Sequence, residues 1–228
     1  MNEKICKDNS EKRVLFQNDA CLVINKLPGE SSEFPRLGAA VQGEKFPVPV
    51  HRLDMPVSGC LLLANNEAAA AFLGAAFASY DKTEKRYWAI VEKSDAAIPM
   101  QAELVHWLGE NKKLNKAFAL QSRQNEGQKK AVMRYRVAGQ GDHYLFLEID
   151  LVTGRHHQIR AQLAAIGLHI KGDLKYGARR SEKNGGIRLH SFSLGFPNPL
   201  NADEIIRVKA PPPYLDPLWE AFIQAVDI

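Results

Sequence analysis

Between Ala131 and Leu151 the chain alternates apolar and polar side chains twice, with a break between the runs. No other feature constrains the fold as much. In the first run Ala131, Met133, Tyr135 and Val137 oppose Val132, Arg134 and Arg136. In the second, Leu145, Leu147, Ile149 and Leu151 oppose Tyr144, Phe146, Glu148 and Asp150. Successive side chains of a strand point to opposite faces, so a period of two predicts strands with one face in a core. Thr83 to Glu92 reads the same way, with Lys85, Tyr87, Ala89 and Val91 on one face and Trp88 and Ile90 on the other. Val14 to Asn25 predicts a hairpin around Gln17-Asn18-Asp19, and the apolar run Cys60 to Ala64 a buried strand. Further strands are expected near Arg188–Leu194 and Ile205–Val208.

Three helices are predicted. The first is capped by Asn65 or Asn66 and runs to about Tyr80, with Leu73, Phe77 and Tyr80 on one stripe. The second runs from about His156 to Ile166, with Ile159, Leu163 and Ile166 as its stripe, and is closed by Gly167. The third follows Pro211-Pro212-Pro213 and spans Tyr214–Val226. Strands outnumber helices and no regular βαβ alternation exists, so the class is α+β with a mixed, mostly antiparallel sheet flanked by helices. Residues 1–13 are expected to be a polar tail, and residues 14–228 a single domain of two lobes sharing one sheet. Lys26-Leu27-Pro28-Gly29 breaks the opening hairpin, and a Pro- and Gly-rich segment continues to Pro49.

Cys6, Cys21 and Cys60 lie far apart and form no Cys-x-x-Cys, which predicts free thiols in a reducing compartment. The mixed-charge opening MNEKICKDNSEKR is unlike a signal peptide, and the longest apolar run, Ala68 to Ala78, is too short to span a bilayer. A cytoplasmic location with no membrane contact is therefore expected. The net charge of +4 says little, but its distribution says more. Leu108 to Arg136 carries eight basic residues against two acidic, and Lys171 to Arg188 six against two. Such stretches fit a polyanion footprint, although solvated loops look the same.

There is no P-loop, no Gly-x-Gly-x-x-Gly after a strand and no Gly-x-Ser-x-Gly elbow, so no nucleotide cofactor is indicated. His156 and His157 are adjacent, poor spacing for two ligands on one helix, and no metal is expected. Two clusters remain. In His51-Arg52-Leu53-Asp54, Arg52 and Asp54 project to one side of an extended chain next to an apolar strand, which places Asp54 at the edge of the core. In Gly154-Arg155-His156-His157-Gln158-Ile159-Arg160, Arg160 borders the apolar stripe of its helix. An arginine there needs an acceptor, and Asp54 is a suitable one; a solvated helix arginine is the other reading. Tyr87 shares a strand face with Lys85, where a tyrosine is more often packing than chemistry.

Taken in order, these pieces resemble the RluA-type RNA pseudouridine synthases over nearly the whole chain. Lys26-Leu27-Pro28-Gly29 is similar to the family's Lys-Pro-x-Gly turn, and His51-Arg52-Leu53-Asp54 with Ser58-Gly59 and Leu61-Leu62-Leu63-Ala64 to its signature. Lys85-Arg86-Tyr87 matches its tyrosine strand. Thr153-Gly154-Arg155-His156-His157-Gln158-Ile159-Arg160 resembles its Thr-Gly-Arg-x-His-Gln-Ile-Arg segment, while Ile170-Lys171-Gly172-Asp173 and Leu189-His190-Ser191 match its closing patterns.

The resemblance implies a pseudouridine synthase fold with a central RNA-binding cleft and a cofactor-independent isomerisation of uridine in structured RNA, ribosomal or transfer. It implies Asp54 as nucleophile, Tyr87 stacking on the base and a candidate for removing the C5 proton, and Arg160, or else Arg155, as the salt-bridge partner of Asp54. Arg52 would fill the space left by the flipped base. Arg155, His157, Lys85 and Lys171 are expected among the RNA contacts. A monomer without a separate S4-type module is expected. Two departures stand out: the leucine inserted in Lys-Leu-Pro-Gly, and Met55-Pro56-Val57 in place of a polar triplet after the nucleophile. The competing class is an inactive RNA-binding or assembly factor with the same fold. A carboxylate glycosidase would need a second catalytic carboxylate that the sequence does not offer.

Overall fold

The computed structural model describes residues 13–33, 47–94 and 98–226. The polar N-terminal tail, Cys6 and most of the Pro- and Gly-rich segment lie outside the described residues. Among the described residues, twelve strands form one sheet. They are β1 (Val14–Gln17), β2 (Cys21–Lys26), β3 (Val48–Pro49), β4 (Ser58–Ala64), β5 (Glu84–Glu92) and β6 (Gln101–Asn111). β7 (Lys116–Leu120), β8 (Lys129–Gln140), β9 (Tyr144–Leu151), β10 (His169–Ile170), β11 (Leu189–Asn198) and β12 (Asn201–Lys209) complete it. The order is β1-β2-β4-β11-β5-β9-β8-β6-β7, with β3 on β4, β10 on β5 and β12 on β11. Among the described residues only β4 and β11 run parallel.

The alternation read from sequence sorts the sheet into two faces. One carries Leu61, Leu63, Tyr87, Ala89, Val91, Met133, Tyr135, Leu147 and Ile149, and packs on Ile159 and Leu163 of α2 (Gln158–Ala165). The other carries Cys60 and Leu62, covered by Ala69 and Leu73 of α1 (Glu67–Ala78), and Trp88, Ile90 and Phe146, covered by Trp219 and Phe222 of α3 (Pro217–Ala225). Asn66 caps α1 by accepting from the Ala69 N–H, and Asp216 caps α3 by accepting from the Trp219 N–H, with Pro217 in the first turn. Cys21 and Cys60 are buried free thiols.

Three features depart from the sequence reading. α1 stops at Ala78, and Tyr80 has φ 60°, so Tyr80 belongs to no helical stripe. α2 begins at Gln158 rather than His156, because His157 adopts the left-handed conformation at φ 51°. The β6–β7 hairpin was not anticipated. Its inward positions hold Ala102, Leu104, His106, Leu108 and Ala117, while Val105, Trp107 and Phe118 lie on the outer side, so the apolar alternation is blurred. Phe118 instead covers Gly109, where an added Cβ would fall 2.4 Å from its ring.

The seam between β4 and β11 depends on one glycine. Gly59 has φ 114°, and a Cβ there would meet the Ser191 carbonyl oxygen at 2.3 Å, with backbone rather than a flexible side chain in the way. Gly59→Ala is expected to lose at least about 3 kcal/mol of unfolding free energy from combined backbone strain and overpacking. Urea titration checks this; a midpoint equal to wild type would mean the two strands are not in such close contact.

Candidate active site

The loop from His51 to Val57 is short of regular structure but is tied on several sides. The Ser32 Oγ donates to the Leu53 carbonyl and accepts from the Leu53 N–H, both at 2.9 Å. The fully buried Lys26 donates to the carbonyls of Leu27, Glu30 and Met55, and burial lowers its pKa to about 8. His51 accepts the Leu62 N–H through Nε2 at 3.1 Å and stacks on Phe77 with ring centroids 4.9 Å apart. The Val57 N–H closes a turn onto the Asp54 carbonyl at 2.9 Å. A loop fixed in this way holds Asp54 at the mouth of a cavity with little freedom left to lose.

The second half of the site comes from the turn into α2. Gln158 Oε1 accepts from Thr153 Oγ1 at 2.8 Å and from the Arg155 N–H at 3.0 Å, while its Nε2 donates to the Val132 carbonyl at 3.1 Å. This glutamine staples the turn to β8. One residue pair later, Arg160 is 5% exposed and fully engaged. Its Nε and Nη2 donate to the two oxygens of Asp173 at 2.6 and 2.7 Å, and its Nη1 donates to Asp54 Oδ2 at 3.0 Å. The fork-on-fork contact with Asp173 fixes the guanidinium plane, and the remaining nitrogen then has one direction in which to point.

His157 adds a second contact to the same oxygen, with Nε2 3.4 Å from Asp54 Oδ2. Its Nδ1 lies 3.0 Å from the Tyr176 hydroxyl, which also bonds both backbone groups of Ala117. The carboxylate favours the tautomer with the proton on Nε2, and Nδ1 then competes with the Ala117 carbonyl for the single Tyr176 hydroxyl proton. Burial lowers the His157 pKa to about 4, so the ring is neutral at pH 7. Asp54 Oδ1 has no hydrogen-bond partner among the described residues. One oxygen is clamped and the other is free.

Asp54 lines a cavity of about 320 Å³, together with Arg52, Tyr80, Lys85, Tyr87, Arg155 and Leu189. The floor residue Tyr87 is 7% exposed; burial pushes its phenol well above the usual range, against a hydrogen bond to Ser191. A second groove of about 570 Å³ shares Gly154, Arg155 and His156 with the first and is bordered by Lys112, Phe118 and Lys129. The first basic stretch therefore flanks the cavity.

Of the residues predicted for the site, Arg52, Asp54, Lys85, Tyr87, Arg155, His157 and Arg160 all line this cavity. Arg160, not Arg155, bonds Asp54. Lys171 lies apart from the others. It is absent from the lining and pairs with Glu182, which also pairs with Arg188. A basic run cannot reveal that its cations are spent on carboxylates folded back against them. His156 and His157 correct the sequence reading: a carboxylate does join them, since donor atoms of Asp54, His156 and His157 lie within 4.8 Å of one another. The Arg160 guanidinium, 3.0 Å from Asp54 Oδ2, already supplies positive charge to this cluster and would repel a cation bound beside it. Sequence reasoning gave no role to Asp173, Tyr176 or Ser191. The matched patterns ending in Asp173 and in Ser191 signalled two of them, and nothing signalled Tyr176.

The comparisons with known proteins agree with this geometry. A family model described as RNA pseudouridylate synthase matches residues 17–165, a span containing Asp54, Tyr87 and Arg160. The chain is 31% identical over 77% of its length to an RNA pseudouridine synthase of Bacillus subtilis, and spans 55% of that relative. It is 27% identical to the ribosomal large subunit pseudouridine synthase D of Zymomonas mobilis, covering 84% of this chain and 67% of that one. It is 29% identical to the tRNA pseudouridine synthase C of Haemophilus ducreyi, over 86% and 89% of the two chains. Among solved structures, the human RNA pseudouridylate synthase domain containing 1 superposes with a TM-score of 0.74 at 25% identity, over 92% of this chain and 86% of that one. The chain belongs to the RNA pseudouridylate synthase family. Its likeness to ribosomal large subunit pseudouridine synthases places it with the RluA-type members.

Two outcomes follow from the site's electrostatics. Asp173→Ala strips two partners from a buried guanidinium and should cost about 3–5 kcal/mol of stability, read by urea unfolding; a loss below about 1 kcal/mol would mean that Asp173 is not the anchor. Burial also lowers His51 and His190 to about 4, like His157. Above pH ~6.5 all three are neutral in both states; below it the unfolded chain binds protons that the native state refuses. Stability should therefore fall as pH drops from about 6.5 toward 4, and a urea midpoint at pH 5.5 equal to that at pH 7.5 would contradict this.

Proposed function

We propose that this chain converts uridine to pseudouridine in structured RNA, with Asp54 as the nucleophile. The observation that carries the reading is the asymmetric carboxylate of Asp54, which lines the cavity: Oδ2 is clamped by Arg160 and faced by His157, while Oδ1 has no partner among the described residues. A nucleophile held by one oxygen and free at the other is aimed before the substrate arrives. The cavity is near the lower end of the range for small-molecule pockets, ~300–1,000 Å³, so it admits one extruded nucleoside rather than a duplex.

In this scheme uridine leaves its helix, and Arg52, exposed at the rim, takes the vacated place in the stack. The N1–C1′ bond breaks with help from Asp54, the uracil turns over the Tyr87 ring, and C5 bonds to C1′. The C5 proton is then lost to solvent and N1 ends as N–H, so the reaction is an isomerisation with no redox step. Tyr87 supports the base as an apolar platform. Its phenol is held protonated by burial, which disfavours it as the acceptor for the C5 proton. Lys85, Arg155 and the Lys112–Lys129 groove supply cations for the RNA backbone, which position the strand without reading sequence. Both ribosomal and transfer RNA are candidate substrates, because relatives named for each cover most of this chain. The enzyme acts as a monomer and needs no cofactor.

Tritium release from total RNA labelled at uridine C5 tests this directly. Wild type is expected to release label and Asp54→Asn to release none while still binding RNA. Release by Asp54→Asn at the wild-type rate would sink the nucleophile; no release by wild type from any unmodified RNA would favour a binding factor.

A further inference from the structure

Tyr80 lines the cavity, yet the scheme above gives it no task. It stands just past the end of α1 at φ 60°, and the Asp81 N–H reaches back across it to the Ser79 carbonyl at 2.8 Å. That is a three-residue γ-turn in its rare positive-φ form. Bulky side chains avoid this region, and where the fold holds one there the side chain is often in functional use. The Tyr80 ring is half-buried and carries two cations at its margin. The Arg155 guanidinium carbon lies 5.3 Å from its centroid and the Lys85 ammonium 5.6 Å. Neither cation has a carboxylate partner among the described residues, and the one hydrogen bond of the Arg155 side chain is a 3.3 Å contact to the Lys130 carbonyl. This contrasts with Lys171 and Arg188, whose charges are spent on carboxylates.

We propose that Tyr80, Arg155 and Lys85 form a second nucleotide subsite beside the reaction pocket, where the base next to the flipped uridine stacks on the Tyr80 ring and its phosphates engage the two cations. The proposal rests on the reading of the chain as an enzyme acting on RNA. Its physical basis is that an aromatic face with unspent cations beside it is the combination that holds single-stranded nucleotides. In the free protein the ring holds both cations near their working positions at modest cost, since cation–π contacts at exposed sites are weak and readily exchanged. Arg155 also borders the second groove, so a strand seated on Tyr80 leads directly into it.

The test compares wild type with Tyr80→Phe, Tyr80→Leu and Tyr80→Ala on a synthetic hairpin carrying the mapped uridine, with the base on either side removed in turn. The leucine variant keeps apolar bulk but has no aromatic face, and thermal melting verifies that each variant folds. Expected for Leu and Ala is a rise in KM on the order of tenfold, with kcat changed less than about threefold, and wild-type behaviour for Phe. Removing one neighbouring base should weaken wild type by the same factor and leave the Leu variant unaffected. A Leu variant with wild-type KM, or one as sensitive to base removal as wild type, overturns the subsite while leaving the isomerase reading intact. If wild type releases no tritium from any RNA, the isomerase reading fails instead. The subsite is then read from quenching of a 2-aminopurine base within a short oligouridylate: quenching by wild type and Phe but not by Leu supports it, and equal quenching overturns it.

Discussion

The buried chain Asp54–Arg160–Asp173 is the constraint around which this molecule is arranged. Two carboxylates share one guanidinium, and all three side chains are removed from bulk water, Asp173 almost entirely. Apolar side chains of the same volume would commonly stabilise a core as well or better. What the triad supplies is direction. Asp173 takes two parallel N–H bonds and fixes the plane of the guanidinium, so the third donor meets Asp54 in one orientation. Each member comes from a different part of the chain: the loop before β4, the first turns of α2, and the turn after β10. The sheet exists, in effect, to bring those three segments to one place.

That convergence needs close backbone approach as well as charge. Gly59 lets β4 run against β11, which sets the distance between the Asp54 loop and the strand carrying Leu189 and Ser191. Lys26, Ser32 and His51 then hold the Asp54 loop through backbone groups rather than through its side chains. The Met55-Pro56-Val57 triplet is accommodated because nothing in this network depends on its side chains being polar: Met55 is exposed, and the loop is tied through its carbonyls.

Charge is divided between two uses. In the 171–188 region Lys171 and Arg188 are internal partners of Glu182 and, for Arg188, of Asp216. Around the cavity Lys85 and Arg155 are half-buried with no such partner and rest against aromatic rings. Counts of basic residues do not distinguish the paired cations from the unpaired ones.

The sequence by itself determined most of the architecture. Period-two alternation at Thr83–Glu92, Ala131–Val137 and Tyr144–Leu151 marks which residues face the core, because burial on one face is a local property of a strand. The cap at Asn66 and the stop at Gly167 are equally local. The motifs carrying Asp54, Tyr87 and Arg160 were legible as segments, and the cost of an unpaired buried charge made Asp54 with Arg160 one of the open pairings. Tertiary structure alone decided the rest. The β6–β7 hairpin gave a weak signal because a histidine and alanines interrupt its inward face of Ala102, Leu104, His106, Leu108 and Ala117. Asp173 as anchor, His157 against Asp54 and the Lys171–Glu182 pair depend on turns at Gly172 and His157 with positive φ. Such turns reverse the chain by an amount that no periodicity records. Which cation is spent and which is free is a matter of distance in space, and sequence spacing carries no measure of that.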